Sequence, residues 1–170
     1  VNPLPVGSYN TSGMSYDLAI AGPLAYIADD GSGLCIVNIS NPANPTLVGV
    51  LDTPGYARGV AVADSFAYVA DLNSGLRVIN VANPAAPHEV GFYDTPTNVL
   101  DVAIRGSLAY VADGYRGLGI LDISDPTTPD SIGYCNTPGQ ADDVKLLHSL
   151  AFVADQQGGM NVVNIADPAN

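Results

Sequence analysis

Short apolar runs separated by turn-forming residues fill most of the chain. Runs rich in Val, Ala, Leu and Tyr occupy residues 48–52, 59–63, 66–71 and 76–81, and Gly, Ser, Asp, Asn and Pro lie between them. Runs of roughly four to eight residues with such boundaries predict β-strands. Apolar residues fill the runs almost continuously, which favours strands that are buried on both faces of stacked sheets.

The same pattern of runs recurs at a fixed interval. Val-Gly or Ile-Gly pairs begin at positions 6, 48, 90 and 132, each 42 residues after the last (48 − 6, 90 − 48 and 132 − 90). This spacing predicts a single domain over 1–170 with repeats at 6–47, 48–89, 90–131 and 132–170. Repeats of about 40 residues with four strands each are typical of β-propeller blades. The sequence therefore predicts an all-β propeller of four four-stranded blades.

One segment has the local spacing of a helix. Residues 140–157 contain neither Gly nor Pro, and Val144, Leu147 and Leu150 would share one helical face. The equivalent segments of the second and third repeats carry turn residues at their middle. The repeat therefore predicts a hairpin here, with its turn at His148 and Ser149.

The two ends of the chain predict how the ring of blades closes. Residues 5–9 repeat the outer-strand pattern, whereas the fourth repeat reaches only the strand at 159–165. We expect the N-terminal strand to complete the fourth blade, because unpaired sheet edges promote aggregation. Three alternatives remain: two chains in an eight-bladed ring, head-to-tail strand exchange into a ring or filament, and a piece of a longer chain. The missing initiator Met and the end at Asn170 favour processing or a fragment.

Composition narrows the class of function. With 17 acidic and 5 basic residues, the net charge of −12 repels phosphate and argues against nucleic-acid binding. No apolar run approaches the ~20 residues of a membrane-spanning helix, so membrane insertion is not expected. Every acidic residue except Glu89 is Asp, which favours turns, so the charge follows from the many turns of the fold.

The repeat pattern resembles that of the LVIVD-repeat family. The resemblance is carried by Ala-Tyr-Val-Ala-Asp at 109–113, by Gly-Leu at 117–118, and by the apolar strands at 76–81 and 118–123 that lead into Asn-Pro or Asp-Pro. It covers residues 6–170 and implies propeller-like domains of bacterial and archaeal surface or secreted proteins, without a common enzymatic activity. We therefore expect a non-enzymatic structural or protein-interaction module, extracellular or at the cell surface. The alternative is a self-assembling subunit, a multimer or filament joined by intermolecular strand complementation.

Recognised catalytic motifs do not occur in the sequence. There is no Gly-x-Ser-x-Gly, His-Glu-x-x-His or phosphate-binding Gly-x-x-x-x-Gly-Lys pattern. Cys35 and Cys135 fall at non-equivalent positions of different blades, so we expect both to be unpaired and buried. His88 and His148 are expected at the surface. An enzyme that uses carboxylates at the channel mouth is a third class of function.

Two sets of aspartates recur along the chain. The first set ends a strand before a turn, where a carboxylate can accept backbone N–H groups, and comprises Asp29, Asp71, Asp113 and Asp155. The second set opens the innermost strands and comprises Asp17, Asp101 and Asp143. In a closed ring the second set would gather at one mouth of the channel and could bind calcium, which prefers oxygen ligands. Otherwise each caps its own turn, and no other cofactor is expected.

Two sets of variable loops offer a candidate contact surface. Strand direction places the loops before the inner strands and those between the middle strands on one rim. Loops on a rigid scaffold often carry binding functions, and Tyr and Arg are common interface anchors. The candidate surface, for a protein partner or another copy, comprises Met14, Tyr16, Tyr56, Arg58, Tyr115 and Arg116. The alternative is ordinary turn drift between repeats. The repeated aromatics are expected between blades: Tyr26, Tyr68, Tyr110 and Phe152.

Overall fold

Four antiparallel sheets follow one another in a computed structural model that describes residues 2–167. Within these residues, three sheets have four strands and the last has three, and each sheet keeps its strands in chain order. The first two sheets contain β1 (Asp17–Ala21), β2 (Leu24–Ala28), β3 (Leu34–Asn38), β4 (Thr46–Leu51), β5 (Gly59–Ala63), β6 (Phe66–Ala70), β7 (Leu76–Asn80) and β8 (His88–Tyr93). The last two contain β9 (Asp101–Arg105), β10 (Leu108–Ala112), β11 (Leu118–Asp122), β12 (Asp130–Cys135), β13 (Asp143–Leu147), β14 (Leu150–Ala154) and β15 (Met160–Asn164).

The predicted strands and the ambiguous segment are confirmed. The inner three strands of the second blade agree with the prediction to within one residue, and β4 begins two residues earlier than predicted. Residues 143–154 form the hairpin of β13 and β14, and His148 turns the chain with a φ of 50°. The fixed repeat thus outweighed the helical spacing.

Each sheet takes its outer strand from the next sequence repeat. The second blade, for example, combines β5, β6 and β7 with β8, which pairs with β7. The four blades therefore cover residues 17–51, 59–93, 101–135 and 143–164, and residues 168–170 of the fourth repeat lie outside the described part.

Hydrophobic cores lie between neighbouring blades. In the first interface, Tyr26 and Leu34 of one blade pack in a cluster with Val60 and Val69 of the next. Tyr68 and Tyr110 occupy the same position in the second and third interfaces, as predicted. Phe152 was expected there too but is only half-buried, because no further blade covers its side of the fourth sheet in the described residues.

The predicted closure by the N-terminal strand is not found. Residues 5–9 form no strand, and β15 has no outer neighbour among residues 2–167. The innermost strands β1 and β13 do not pack against each other as β1 and β5 do. The repeat pattern determines each blade and its neighbour, but closure depends on the curvature summed over all blades, which no local pattern encodes.

Candidate interaction face and channel mouth

Backbone hydrogen bonds join the two sets of variable loops into one rim. The amide of Asp30 donates to the carbonyl oxygen of Ala57 over 3.1 Å, and the amide of Ala57 returns a bond of 3.0 Å. Leu72 and Val99 repeat this bridge between the second and third blades. Each bridge joins a loop between middle strands to the loop before the next inner strand. Both sets therefore lie on the same side of the array.

The recurrent aspartates of the first set hold these loops in place. The carboxylate of Asp71 is fully buried and accepts a bond of 2.6 Å from the Thr53 hydroxyl and one of 2.8 Å from the Gly55 amide. Burial raises the pKa of Asp71, and these two donors oppose the rise. Asp29 and Asp155 bind their own Thr and Gly in the same way. These contacts agree with the structural role predicted from the sequence.

The third blade departs from this arrangement. Thr97 stands where the other blades have glycine, and its hydroxyl donates to Oδ1 of Asp113 over 2.6 Å. The second carboxylate oxygen of the fully buried Asp113 has no hydrogen-bond partner among the described residues. Burial raises the pKa of this carboxyl group as well.

Four of the six residues predicted for the contact surface are exposed on this rim: Met14, Tyr16, Tyr56 and Tyr115. The guanidinium of Arg58 stacks 3.7 Å from the ring centre of Tyr16, so these two predicted residues form one cation–π pair across neighbouring blades. Arg116 stacks 3.4 Å from the ring centre of Tyr134 on its own blade, and it is half-buried, as Arg58 is. Sequence reasoning did not find the Tyr134 partner, whose position is a valine in the first blade.

The three aspartates predicted for the channel mouth line one cavity of about 160 Å³. Its wall consists of Tyr16, Asp17, Arg58, Asp101, Asp142, Asp143 and Lys145. Asp17 accepts the Val60 amide of the next blade over 2.9 Å, and Asp101 accepts the Val144 amide over 3.0 Å. Each of these two aspartates thus ties one inner strand to the next, which is a bond between blades rather than a cap on its own turn.

Lys145 neutralises two of these aspartates. Its ammonium lies 3.0 Å from Asp101 and 2.8 Å from Asp143. Burial raises the pKa of Asp101 to about 6, and the nearby Asp143 carboxyl adds to the rise. Although partial burial opposes it, the bonds from Asp101 and Lys145 lower the pKa of Asp143. Burial also opposes the charge of Lys145, but the two carboxylates raise its pKa to about 12.

The calcium prediction at Asp17, Asp101 and Asp143 finds no support in this geometry. Across residues 2–167, no group of three or more His, Cys, Asp or Glu side chains is arranged to hold a metal ion. The Lys145 ammonium lies where a cation would be needed. The sequence carried this signal, since residues two apart on a strand share a face and Lys145 follows Asp143 by two.

The remaining reactive side chains occupy structural or surface positions. Cys35 is buried and unpaired, as predicted, whereas Cys135 is unpaired but only half-buried. His88 and His148 are exposed, as expected. No helix in the described part of the chain is long and apolar enough to cross a membrane.

The fold defines a β-propeller-like repeat protein with about 40 residues per blade. More particularly, the chain belongs to the LVIVD-repeat family: the LVIVD repeat matches residues 12–53, 54–95, 97–137 and 138–170. The family predicted from the sequence is thereby confirmed. No curated protein matches the chain.

Two solved structures share the fold. The computationally designed Ika4 protein is 10% identical, with a TM-score of 0.75 over 98% of this chain and 100% of that chain. The computationally designed Ika8 protein is 9% identical, with a TM-score of 0.71 over 89% of this chain. The match covers 46% of the Ika8 chain, so this chain corresponds to just under half of the longer one.

Proposed function

We propose that this protein is a non-enzymatic interaction module whose loop-lined rim binds a protein partner outside the cell or at its surface. The observation that carries the proposal is the rim itself, on which exposed tyrosines stand on loops that hydrogen bonds lock between blades. Tyr16, Tyr56 and Tyr115 offer large apolar surfaces with little side-chain entropy to lose on binding. The extracellular placement rests on the family resemblance.

The channel-mouth carboxylates support a structural role over a catalytic one. Asp101 is bound by Lys145 and by the Val144 amide, and Asp17 is bound by the Val60 amide. A catalytic pair needs carboxyl groups that are free to approach a substrate. We therefore place the function on the rim and not in the cavity.

The experiment is selection of peptides from a random display library on the intact chain. We expect the selected peptides to lose most of their affinity for Tyr56→Ala and Tyr115→Ala. Leu147→Ala is the matched control, because Leu147 is an exposed apolar residue at the end of β13 beside the His148 turn, opposite the rim. Equal loss with all three variants, or none with the rim variants, would contradict the proposal.

Self-assembly through strand complementation is a second candidate function. The specific observation in its favour is the fourth sheet, whose edge strand β15 lacks an outer neighbour among residues 2–167. Such an edge can accept an extended segment as an added strand.

A further inference from the structure

The two ends of the array present matching halves of one blade interface. On the fourth blade, Met160 and Val162 are exposed, although their equivalents in the other blades are buried, for example Leu34 and Ile36. On the opposite face of the first blade, Leu18 is 57% exposed, whereas its equivalents are at most 5% exposed: Val60, Val102 and Val144. The two kinds of position pack in one cluster in every internal interface. Each end therefore lacks the surface that the other end offers.

The N-terminal segment already occupies the place of an outer strand. Gly7 lies so close to the carbonyl oxygen of Pro42 that no Cβ would fit. Gly49 approaches Pro84 and Gly91 approaches Pro126 in the same manner, and both glycines belong to outer strands, β4 and β8. Residues 4–9 thus stand against the first blade as β4 stands against the second.

Two further contacts hold this segment before any strand pairs with it. The Thr11 hydroxyl donates to the Asp29 carboxylate over 2.5 Å, and the Gly13 amide donates to it over 2.8 Å. Thr53 and Gly55 bind Asp71 in the same way in the second blade. Val6 is nevertheless 69% exposed, whereas its equivalents Val48 and Val90 pack against the cores. The segment therefore lies where an outer strand would lie, and among residues 2–167 no sheet pairs with it.

We propose that the sheet that pairs with this segment is the fourth blade of a second copy of the chain. In that arrangement, β15 of the copy pairs with residues 4–9, and its exposed face covers Leu18. The register follows from the pairing of β3 with β4: Met160 would lie opposite Tyr9, and Val162 opposite Gly7. Pro5 is compatible with this strand, because proline is tolerated on an outer edge.

In a pair of copies, each copy would cover the exposed first and fourth blades of the other. The chain's own β15 does not lie beside residues 4–9, and β1 does not pack on β13 as neighbouring inner strands do. The array superposes on the whole Ika4 chain and also on just under half of the longer Ika8 chain, so the same arrangement of blades occurs within a chain about twice its size. Head-to-tail contacts that close after two copies give a ring with twofold symmetry and eight blades. The inference deepens the second candidate function and is independent of the rim.

The first test is the solution mass by light scattering after gel filtration, over a range of concentrations. We expect twice the 17.4 kDa of the chain. Val162→Asp and Val6→Asp each place a charge in the shared interface and should give folded single chains. Leu47→Asp is the matched control: it is an exposed apolar residue on an outer strand whose equivalent in the second blade is Glu89, so the two-chain mass should persist.

A mixing experiment tests which faces meet. Leu18→Lys and Met160→Asp should each remain single chains alone and should form mixed pairs when combined, because one interface is unmodified and the other joins opposite charges. Far-UV circular dichroism and cooperative unfolding confirm that each variant is folded.

The outcomes separate this inference from the proposed rim. A constant mass of 17.4 kDa for the unmodified chain would overturn it in favour of a chain that closes on itself. A ladder of masses would overturn the twofold ring in favour of open head-to-tail assembly. Neither result alters peptide binding at Tyr56 and Tyr115, and rim variants should leave the mass unchanged.

Discussion

The interior interfaces and the two ends of the array use the same sequence positions with opposite results. Leu118 in the third blade is fully buried against the fourth, whereas Met160, one repeat later, is 68% exposed. Nothing in the residue itself explains the difference, since both are apolar and both follow a glycine. What differs is whether a further blade is present on that side. Burial in a repeat protein is thus a property of the neighbour, as expected when each repeat is stabilised chiefly by the adjacent ones.

The largest expected effect is at an interior interface between blades. Leu118→Ala removes a fully buried side chain between the third and fourth blades, so the free energy of unfolding should fall by about 2–5 kcal/mol. Met160→Ala at the equivalent end position should cost less than about 1 kcal/mol in the single chain, because its side chain is exposed there. Urea unfolding of both variants in the Val162→Asp background, which separates the copies, measures the two costs.

The same two variants also test association of the copies when Val162 is left unchanged. There Met160→Ala should weaken association of the two copies, which appears as dissociation at a higher protein concentration. Equal unfolding costs for the two variants in the single chain would show that the fourth blade is already covered by its own chain.

A smaller effect is expected at the hydrogen bonds by which the recurrent aspartates hold the rim loops. Thr53→Val removes the hydroxyl that donates to Asp71 and leaves a buried carboxylate oxygen without that bond. The cost should be about 1–3 kcal/mol in unfolding free energy. Thr46→Val, at an exposed strand position, is the control and should change stability by less than about 0.5 kcal/mol. Chemical denaturation of the two variants measures this difference. Similar losses of unfolding free energy for both would show that the bond to Asp71 does not stabilise the fold.

The channel mouth should make stability depend on pH. Because the folded pKa of Asp101 is about 6 and the ordinary value is 3.8, the folded chain binds a proton there more readily than the unfolded chain between those values. Stability should therefore fall as pH rises from about 4 to about 6, by about 2 kcal/mol from this group. The raised pKa values of Asp71 and Asp113 act in the same direction. The lowered pKa of Asp143 acts oppositely, and that contribution is lost only as pH falls below about 4.

Thermal unfolding between pH 4.5 and pH 7 measures this slope. Asp101→Asn should reduce the slope without abolishing it, since Asp71 and Asp113 remain. Asp17→Asn is the matched control from the first blade, where no lysine partner is present, and it should leave the contribution of Asp101 intact. An unchanged slope in Asp101→Asn would show that the Asp101 carboxyl group does not contribute to the pH dependence of stability.

The sequence predicted what repeats and missed what depends on single residues or on the whole array. The 42-residue spacing located the strands, and it corrected the helical spacing around His148. Lys145 was missed because it occurs in one blade only, so no repeat drew attention to it. The predicted closure is not confirmed for a different reason: the pattern of residues 5–9 predicts an outer strand but does not say which sheet it completes.

The smallest expected effect on stability separates the rim from the cores. Tyr115 is 75% exposed on the loop between β10 and β11, so Tyr115→Ala should change the free energy of unfolding by less than about 0.5 kcal/mol. Tyr110→Ala, one strand away in the interface with the fourth blade, should cost about 3–5 kcal/mol, as truncation of a large buried aromatic residue does. Denaturant midpoints of the two variants test this contrast. If Tyr115→Ala were as costly as Tyr110→Ala, the rim would be part of the scaffold, and its tyrosines would no longer be available as binding residues.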